Sequence, residues 1–343
     1  MAGPLLVIGP AWVGDMMMSQ ALYRLLKSAD AERPIDFLAP GWSLPLLALM
    51  PEVRHAWEMP LGHGQLELVA RYRMARQLRQ SGYEQAIVLP NSFKSALIPY
   101  WAKIPKRTGW RGEMRYRLLN DVRILDKQEY PLMVQRFLAL GLDADAKLPH
   151  PLPHPYIEVD ADLVTQTLTS YEINADKPII ALCPGAEFGP AKQWPEEYFA
   201  TLAQQKIDDG YQIFLLGSAN DQTVVRAIIE ALPEAAREFC NNLAGKTKLA
   251  DATLLMAAAD AVVCNDSGLL HIAAALNKPL IAIYGSTSPS FTPPLADRVA
   301  IQSLAVDCGP CFQRTCPLGH LKCLTGVTPA RVVASLDELL VAG

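Results

Sequence analysis

Leu5–Arg24 reads LLVIGPAWVGDMMMSQALYR. Four aliphatic residues, Leu5–Ile8, run into Gly9-Pro10 and then into a helix-like stretch over roughly Met16–Leu26. A short apolar run that breaks at a glycine turn and resumes as a helix is the opening of an α/β unit. Far downstream, Pro178–Cys183 (PIIALC) runs in the same way into Pro184-Gly185. Ala86–Leu89, Gln212–Leu216, Ala261–Cys264 and Pro279–Tyr284 keep the rhythm, each followed by Gly, Pro or Asn and then by a helix-length segment. That alternation predicts parallel sheets flanked by helices.

Lys147–Pro155 (KLPHPLPHP) carries four prolines in nine residues. Proline fixes φ and blocks both helix and central strand, so the segment reads as a linker between two domains, 1–155 and 156–343. Thr328-Pro329 is an N-cap and N1 pair for a last helix through Leu340, free to pack back on the first domain. The 343 residues are 50% hydrophobic and 19% charged, which suits two buried cores and argues against disorder.

A net charge of −4 gives no general reason to expect nucleic acid as a partner. The N-terminus lacks a basic region, and Pro4, Pro10 and Asp15 break its apolar run, so it does not read as a secretory signal. No run of eighteen apolar residues occurs, so any membrane contact is expected to be peripheral. Seven cysteines, an odd number, argue against a disulfide framework and for a reducing cytoplasm.

Four loops carry residues with chemistry. Gly9–Asp15 follows the first strand, where ligands of open α/β sheets bind. It matches neither GxGxxG nor the GK[ST] ending of a P-loop, which disfavours dinucleotide oxidoreductases and P-loop NTPases. Asp15 is either a general base able to take a proton from a sugar hydroxyl or the N-cap of the next helix; the residue alone leaves both open. Cys183–Trp194 (CPGAEFGPAKQW) is a glycine- and proline-rich loop that can turn amides toward phosphate, at Gly185 among others, while Lys192 adds a point charge. The alternative is a solvated lysine on an ordinary turn. Asn265-Asp266-Ser267-Gly268 opens a helix whose N-terminus suits a pyrophosphate, with Asp266 orienting the loop or a sugar hydroxyl, or merely capping. His271, one turn on, is expected to be a packed residue. Asn91 and Lys94, in Leu89–Leu97 (LPNSFKSAL), follow another strand end.

Between Trp101 and Arg123 lie seven Lys/Arg against two acidic residues, with Trp101, Trp110 and Tyr116 interleaved. The patch, with Arg107, Arg111, Arg115 and Arg117, suits an anionic partner; nucleic acid and a solvated surface are the alternatives. Cys308-x2-Cys311-x4-Cys316-x6-Cys323 is compatible with a tetrahedral metal, one reversible disulfide or free thiols, and the spacing alone does not decide among them.

Taken together, Gly9–Arg24, MPLGHG (Met59–Gly64), Leu89–Leu97, RTGWRGEMRYRLLNDVR (Arg107–Arg123), Cys183–Pro195 and NDSGLLHIAAALNKP (Asn265–Pro279) resemble the heptosyltransferases, glycosyltransferase family 9. The likeness spans nearly the whole chain. It implies a GT-B type α/β fold, two Rossmann-like doubly wound domains facing a central cleft, with the acceptor on the first and the nucleotide-sugar on the second. It further implies an inverting transfer of L-glycero-D-manno-heptose from ADP-heptose to the inner-core heptose of lipopolysaccharide, on a Kdo- and heptose-bearing lipid A. No metal or other cofactor is required for that chemistry, and nucleic acid is not a partner. The implied localisation is cytoplasmic, at most peripheral at the inner membrane. By the same resemblance Asp15 is the general base, and Lys192, Asp266, Ser267, Gly268 and Gly185 serve the donor. Asn91, Lys94, Arg107, Arg111, Arg115 and Arg117 serve the acceptor. Loops at Gly217–Asp221 and Thr247–Leu249 correspond to the base and ribose contacts. The cysteine-rich segment occurs in some members only, which sets it apart from the shared reaction. A first-heptose or other sugar transferase of this fold is the near alternative, and a non-catalytic nucleotide-binding or nucleic-acid-binding module the distant one.

Overall fold

The computed structural model describes residues 3–61 and 66–341; Gly62–Gly64 of the MPLGHG block lie outside the described residues. The chain divides into two compact units, Met1–Pro155 and Tyr156–Gly343. The proline-rich segment before the division has no regular secondary structure, as proline at every second position requires.

The first unit holds six parallel strands: β1 (Leu5–Ile8), β2 (Ile35–Pro40), β3 (His55–Met59), β4 (Gln85–Val88), β5 (Lys106–Trp110) and β6 (Asp121–Arg123). The second holds β7 (Ile179–Cys183), β8 (Gln212–Leu215), β9 (Cys240–Asn242), β10 (Ala261–Asn265), β11 (Leu280–Ile283) and β12 (Val299–Gln302), also parallel. Their orders are β3-β2-β1-β4-β5-β6 and β12-β11-β10-β7-β8-β9. Each is the doubly wound order in which the chain leaves the first strand one way and returns to its other side. The order reverses between β1 and β4 in one unit and between β7 and β10 in the other. At such a point the loops leaving two adjacent strands part and open a crevice for ligand.

The six helices that matter here are α1 (Val13–Ala29), α2 (Phe93–Trp101), α3 (Met133–Ala139), α4 (Glu196–Asp208), α5 (Gly268–Ala275) and α6 (Pro329–Val341). Crossover helices cover the sheets and force the central strands to be apolar on both faces; Leu5–Ile8 and Ile179–Cys183 are buried throughout. In the first unit α1 packs against α3. In the second, α6 packs on α4, β11 and β12. Lys206 of α4, almost fully buried, pins that contact by reaching Asp209 at 2.5 Å and Asp337 of α6 at 2.6 Å. Among the described residues no helix is long and apolar enough to cross a membrane.

Trp194 closes the second core. It is 1% exposed, meets Phe199 and Tyr198 edge-on, and donates its indole N–H to the Val327 carbonyl at 2.7 Å. Truncation would leave a large cavity and orphan that carbonyl. Trp194→Ala is therefore expected to destabilise the second unit by about 3–5 kcal/mol, read as a lower urea midpoint for the transition of that unit.

Candidate active site

In the first unit the strand ends at the reversal point are Ile8 and Val88. Gly9 keeps the sheet ladder for one residue, its N–H donating to Leu38, and a Cβ there would press on Met16 and Ala39. The chain then enters α1 with Trp12 at the N-cap position, where no side chain makes a capping bond. Asp15 is thus the third residue of the helix, in its first turn and half-buried. That placement corrects the capping alternative: Asp15 is inside the helix, where the N-terminal dipole favours the ionised carboxylate.

The loop after β4 carries Asn91, and Lys94 is the second residue of α2, which follows it. Arg115 ties it to the turn at 110–117, although the two are far apart in sequence. Its guanidinium donates to the carbonyls of Pro90 (2.6 Å) and Trp110 (2.6 Å) and to the Asn91 side-chain oxygen (3.0 Å). Arg115 is 2% exposed, and burial pulls its pKa down to about 10. Arg107 is also engaged, donating to Leu118 (2.7 Å) and Ile104 (2.6 Å) and lying over the Tyr100 ring. Of the four arginines expected at the acceptor, two are thus engaged within the fold. Arg107 and Arg115 hold loops by their backbone carbonyls, while Arg111 and Arg117 are exposed. Of the interleaved aromatics, Trp110 is buried with its N–H on the Arg136 carbonyl, and Tyr116 is exposed.

In the second unit the reversal point assembles most of the residues expected to serve the donor. Asn265, the fully buried last residue of β10, donates its amide to the Pro184 carbonyl (2.7 Å) and accepts the Trp194 N–H (3.1 Å). The loop between those two residues is held at both ends. Lys192 thereby reaches Asp266, its ammonium 2.6 Å from the carboxylate and 3.2 Å from the carbonyl. The lysine is mostly shielded and the aspartate buried, at 13% and 4% exposure, so neither the solvated-lysine nor the capping alternative holds. The N-cap of α5 is Ser267, with Gly268 first in the helix. Ser267 makes no side-chain capping bond, so its hydroxyl does not consume the first-turn N–H groups.

Two further residues join this group, Thr287, which the sequence did not single out, and Asp221, which it marked only as the end of the Gly217–Asp221 loop. Thr287, after β11, donates its hydroxyl to the Asp266 carboxylate at 2.5 Å, beside Lys192. Asp221, after β8, accepts the Ser218 N–H and hydroxyl at 2.7 and 2.8 Å. It also explains Gly185, where a Cβ would come within 2.4 Å of the Asp221 carboxylate. Of the loops expected to meet base and ribose, Gly217–Asp221 accepts the Gly245 N–H at the Gly217 carbonyl, two residues before Thr247–Leu249 begins. His271 is buried in α5, as a packed residue should be.

The sequence profile of Glycosyltransferase family 9 (heptosyltransferase) matches residues 71–322. The chain is 50% identical over 341 residues to lipopolysaccharide heptosyltransferase 2 of Escherichia coli strain K12, covering 98% of each. It is 51% identical over 345 residues to lipooligosaccharide heptosyltransferase 2 of Haemophilus influenzae, covering 98% of this chain and 99% of that one. The structure of E. coli ADP-heptose lps heptosyltransferase II superposes with a TM-score of 0.90 at 48% identity, over 100% of this chain and 99% of the other.

Burial lowers the His271 pKa to about 4, Asp266 opposing the shift and Lys192 adding to it. The unfolded chain therefore binds a proton below about pH 6.5 that the folded chain refuses until about pH 4. The stability this confers is complete above 6.5 and drains as pH falls through that window. Between pH 7 and pH 5 the loss should be about 2 kcal/mol. His271→Gln should flatten that decline in urea unfolding measured at the two pH values.

Proposed function

From the premise that the chain belongs to glycosyltransferase family 9, the heptosyltransferases, and is a glycosyltransferase, we propose that it transfers L-glycero-D-manno-heptose from ADP-heptose to the inner-core heptose of lipopolysaccharide. The acceptor of this reading is a Kdo- and heptose-bearing lipid A, met from the cytoplasmic side. The observation that carries the proposal is the Lys192–Asp266–Thr287 group beside the N-terminus of α5. It offers one cation and a helix dipole to a diphosphate, together with polar groups able to meet sugar hydroxyls.

The chemistry we assign is a direct displacement with inversion. The acceptor hydroxyl oxygen attacks the anomeric carbon as the bond to the ADP oxygen breaks, and Asp15 takes the hydroxyl proton. Negative charge grows on the departing diphosphate. Lys192, with the first-turn amides after Ser267 and Gly268, meets it with charge and dipoles already in place, so little reorganisation is needed. Gly185 contributes room rather than a contact. The exposed Arg111 and Arg117, with Asn91 in the loop that Arg115 ties to theirs and Lys94 in the first turn of α2, are the groups we assign to the acceptor's anionic substituents.

Asp15→Asn removes the basicity and keeps the size. Its kcat should fall about a hundredfold or more while ADP affinity stays level. Near-normal turnover would return Asp15 to a purely helical role. For the diphosphate, Lys192→Gln is the cleaner variant because the amide still donates to the buried Asp266. ADP and ADP-heptose should both bind roughly 10- to 150-fold more weakly in calorimetry, the worth of one charged hydrogen bond. Unchanged ADP affinity would place the diphosphate elsewhere.

A further inference from the structure

The segment from Ser303 to Leu321 has no helix or strand of its own, and most of its residues are exposed or half-buried. A stretch of that length without secondary structure is uncommon in a compact unit unless something other than a hydrophobic core fastens it. Leu304 and Leu321, near its two ends, pack against the second core, and between them specific hydrogen bonds tie it to neighbouring loops. The Arg314 carbonyl accepts the Ala191 N–H at 3.0 Å, and the Phe312 N–H donates to Ser286 at 2.8 Å. Gly189, at φ +148°, gives Arg314 the room, since a Cβ would stand 2.5 Å from that carbonyl. The segment therefore leans on the loop that delivers Lys192.

Cys308, Cys311, Cys316 and Cys323, with His320, line one cavity against Ala191, Gly285 and Ser286. None of the four thiols is in a disulfide. Two further features of the cavity suit thiolate sulfurs. The His320 Nδ1 accepts the Lys322 N–H at 3.1 Å, which puts the ring proton on Nε2, 4.0 Å from the Cys308 sulfur. The hydroxyl of Ser286, a residue 2% exposed, lies buried at the cavity wall with no hydrogen-bond partner among the described residues. A donor left unused in a buried wall needs an acceptor to arrive.

We propose that Cys308, Cys311, Cys316 and Cys323 form a binding site for one soft divalent cation of the zinc class, with His320 and Ser286 donating to the thiolates around it. Four sulfurs suit such a cation, and outer hydrogen bonds to ligating sulfur are the usual companions of a thiolate site. Among the described residues no group of three or more His, Cys, Asp or Glu side chains is already arranged to hold a metal ion. Binding then proceeds by turning the thiols about χ1 into the cavity, with loss of their protons to solvent. The ion takes no part in the displacement. It fastens the irregular segment, and through Arg314 and Ser286 the loops of Lys192 and Thr287.

The test is made on the full chain, kept under reductant, stripped with a chelator and reloaded with zinc chloride before gel filtration and elemental analysis. One zinc per chain is expected, with cobalt in its place giving thiolate-to-cobalt charge-transfer absorption. Cys311→Ser/Cys316→Ser should retain none, and Cys240→Ser, outside the cluster, should retain the full complement. Because the double variant can lose its fold, Cys308→Ser supplies a second reading. That residue is exposed, and its loss should weaken zinc about tenfold or more while the melting temperature of the zinc-free chain stays level. Three results each overturn the site: no zinc retained by the wild type, equal retention by the variants, or a native disulfide among the four.

Discussion

The carboxamide of Asn265 is the constraint on which the second unit's site depends. It ends a fully buried strand and satisfies one backbone carbonyl and one backbone N–H, at opposite ends of a long irregular loop. Aspartate cannot donate and leucine can do neither, so either replacement would orphan buried main-chain groups at a cost of about 1–3 kcal/mol each. With Pro184 and Trp194 fixed, the chain between them has little freedom, and Lys192 arrives beside the residue that follows Asn265. The lysine's position is thus a consequence of main-chain satisfaction two residues away. The first unit uses the same device with a different side chain, Arg115 clasping the carbonyls of Pro90 and Trp110.

The strands legible in the sequence are those that burial on both faces obliges to be aliphatic: β1, β4, β7, β8, β10 and β11. The strands that escaped notice carry other information. HAWEM, DVR and CNN, at sheet edges, need no continuous apolar run. IDFLAP is central in its half of the sheet but is interrupted by Asp36, which reads as a turn residue. That carboxylate is buried because Arg54 grips both of its oxygens and Tyr83 donates a third bond, none of which the local pattern announces.

The site shows the same division. Asp15, Lys192 and Asp266 stood out because each lies in or just past a small-residue turn after a recognisable strand. Thr287 did not, since its contribution passes through a carboxylate on the neighbouring strand's loop. The arginines mark the limit of composition as a guide. Arg111 and Arg115 sit in the same basic run, yet one is exposed and the other is consumed by buried carbonyls. Charge counts record how many guanidinium groups a segment carries, while the backbone geometry around each decides which of them meet solvent.

The pairing of Lys192 with Asp266 has one more consequence, for selectivity. The lysine already has a counter-ion, 2.6 Å away and shielded from water. An incoming anion must exchange with that carboxylate or share the ammonium with it, so it gains only the difference between two attachments. A group with a single charge offers little that the resident carboxylate does not. A diphosphate brings higher charge and several oxygens, and it can occupy the α5 amides at the same moment. On the reading proposed above, in which a diphosphate docks at Lys192, the internal ion pair acts as a threshold, set by the protein's own competing anion, that phosphate, carboxylate and chloride would not pass.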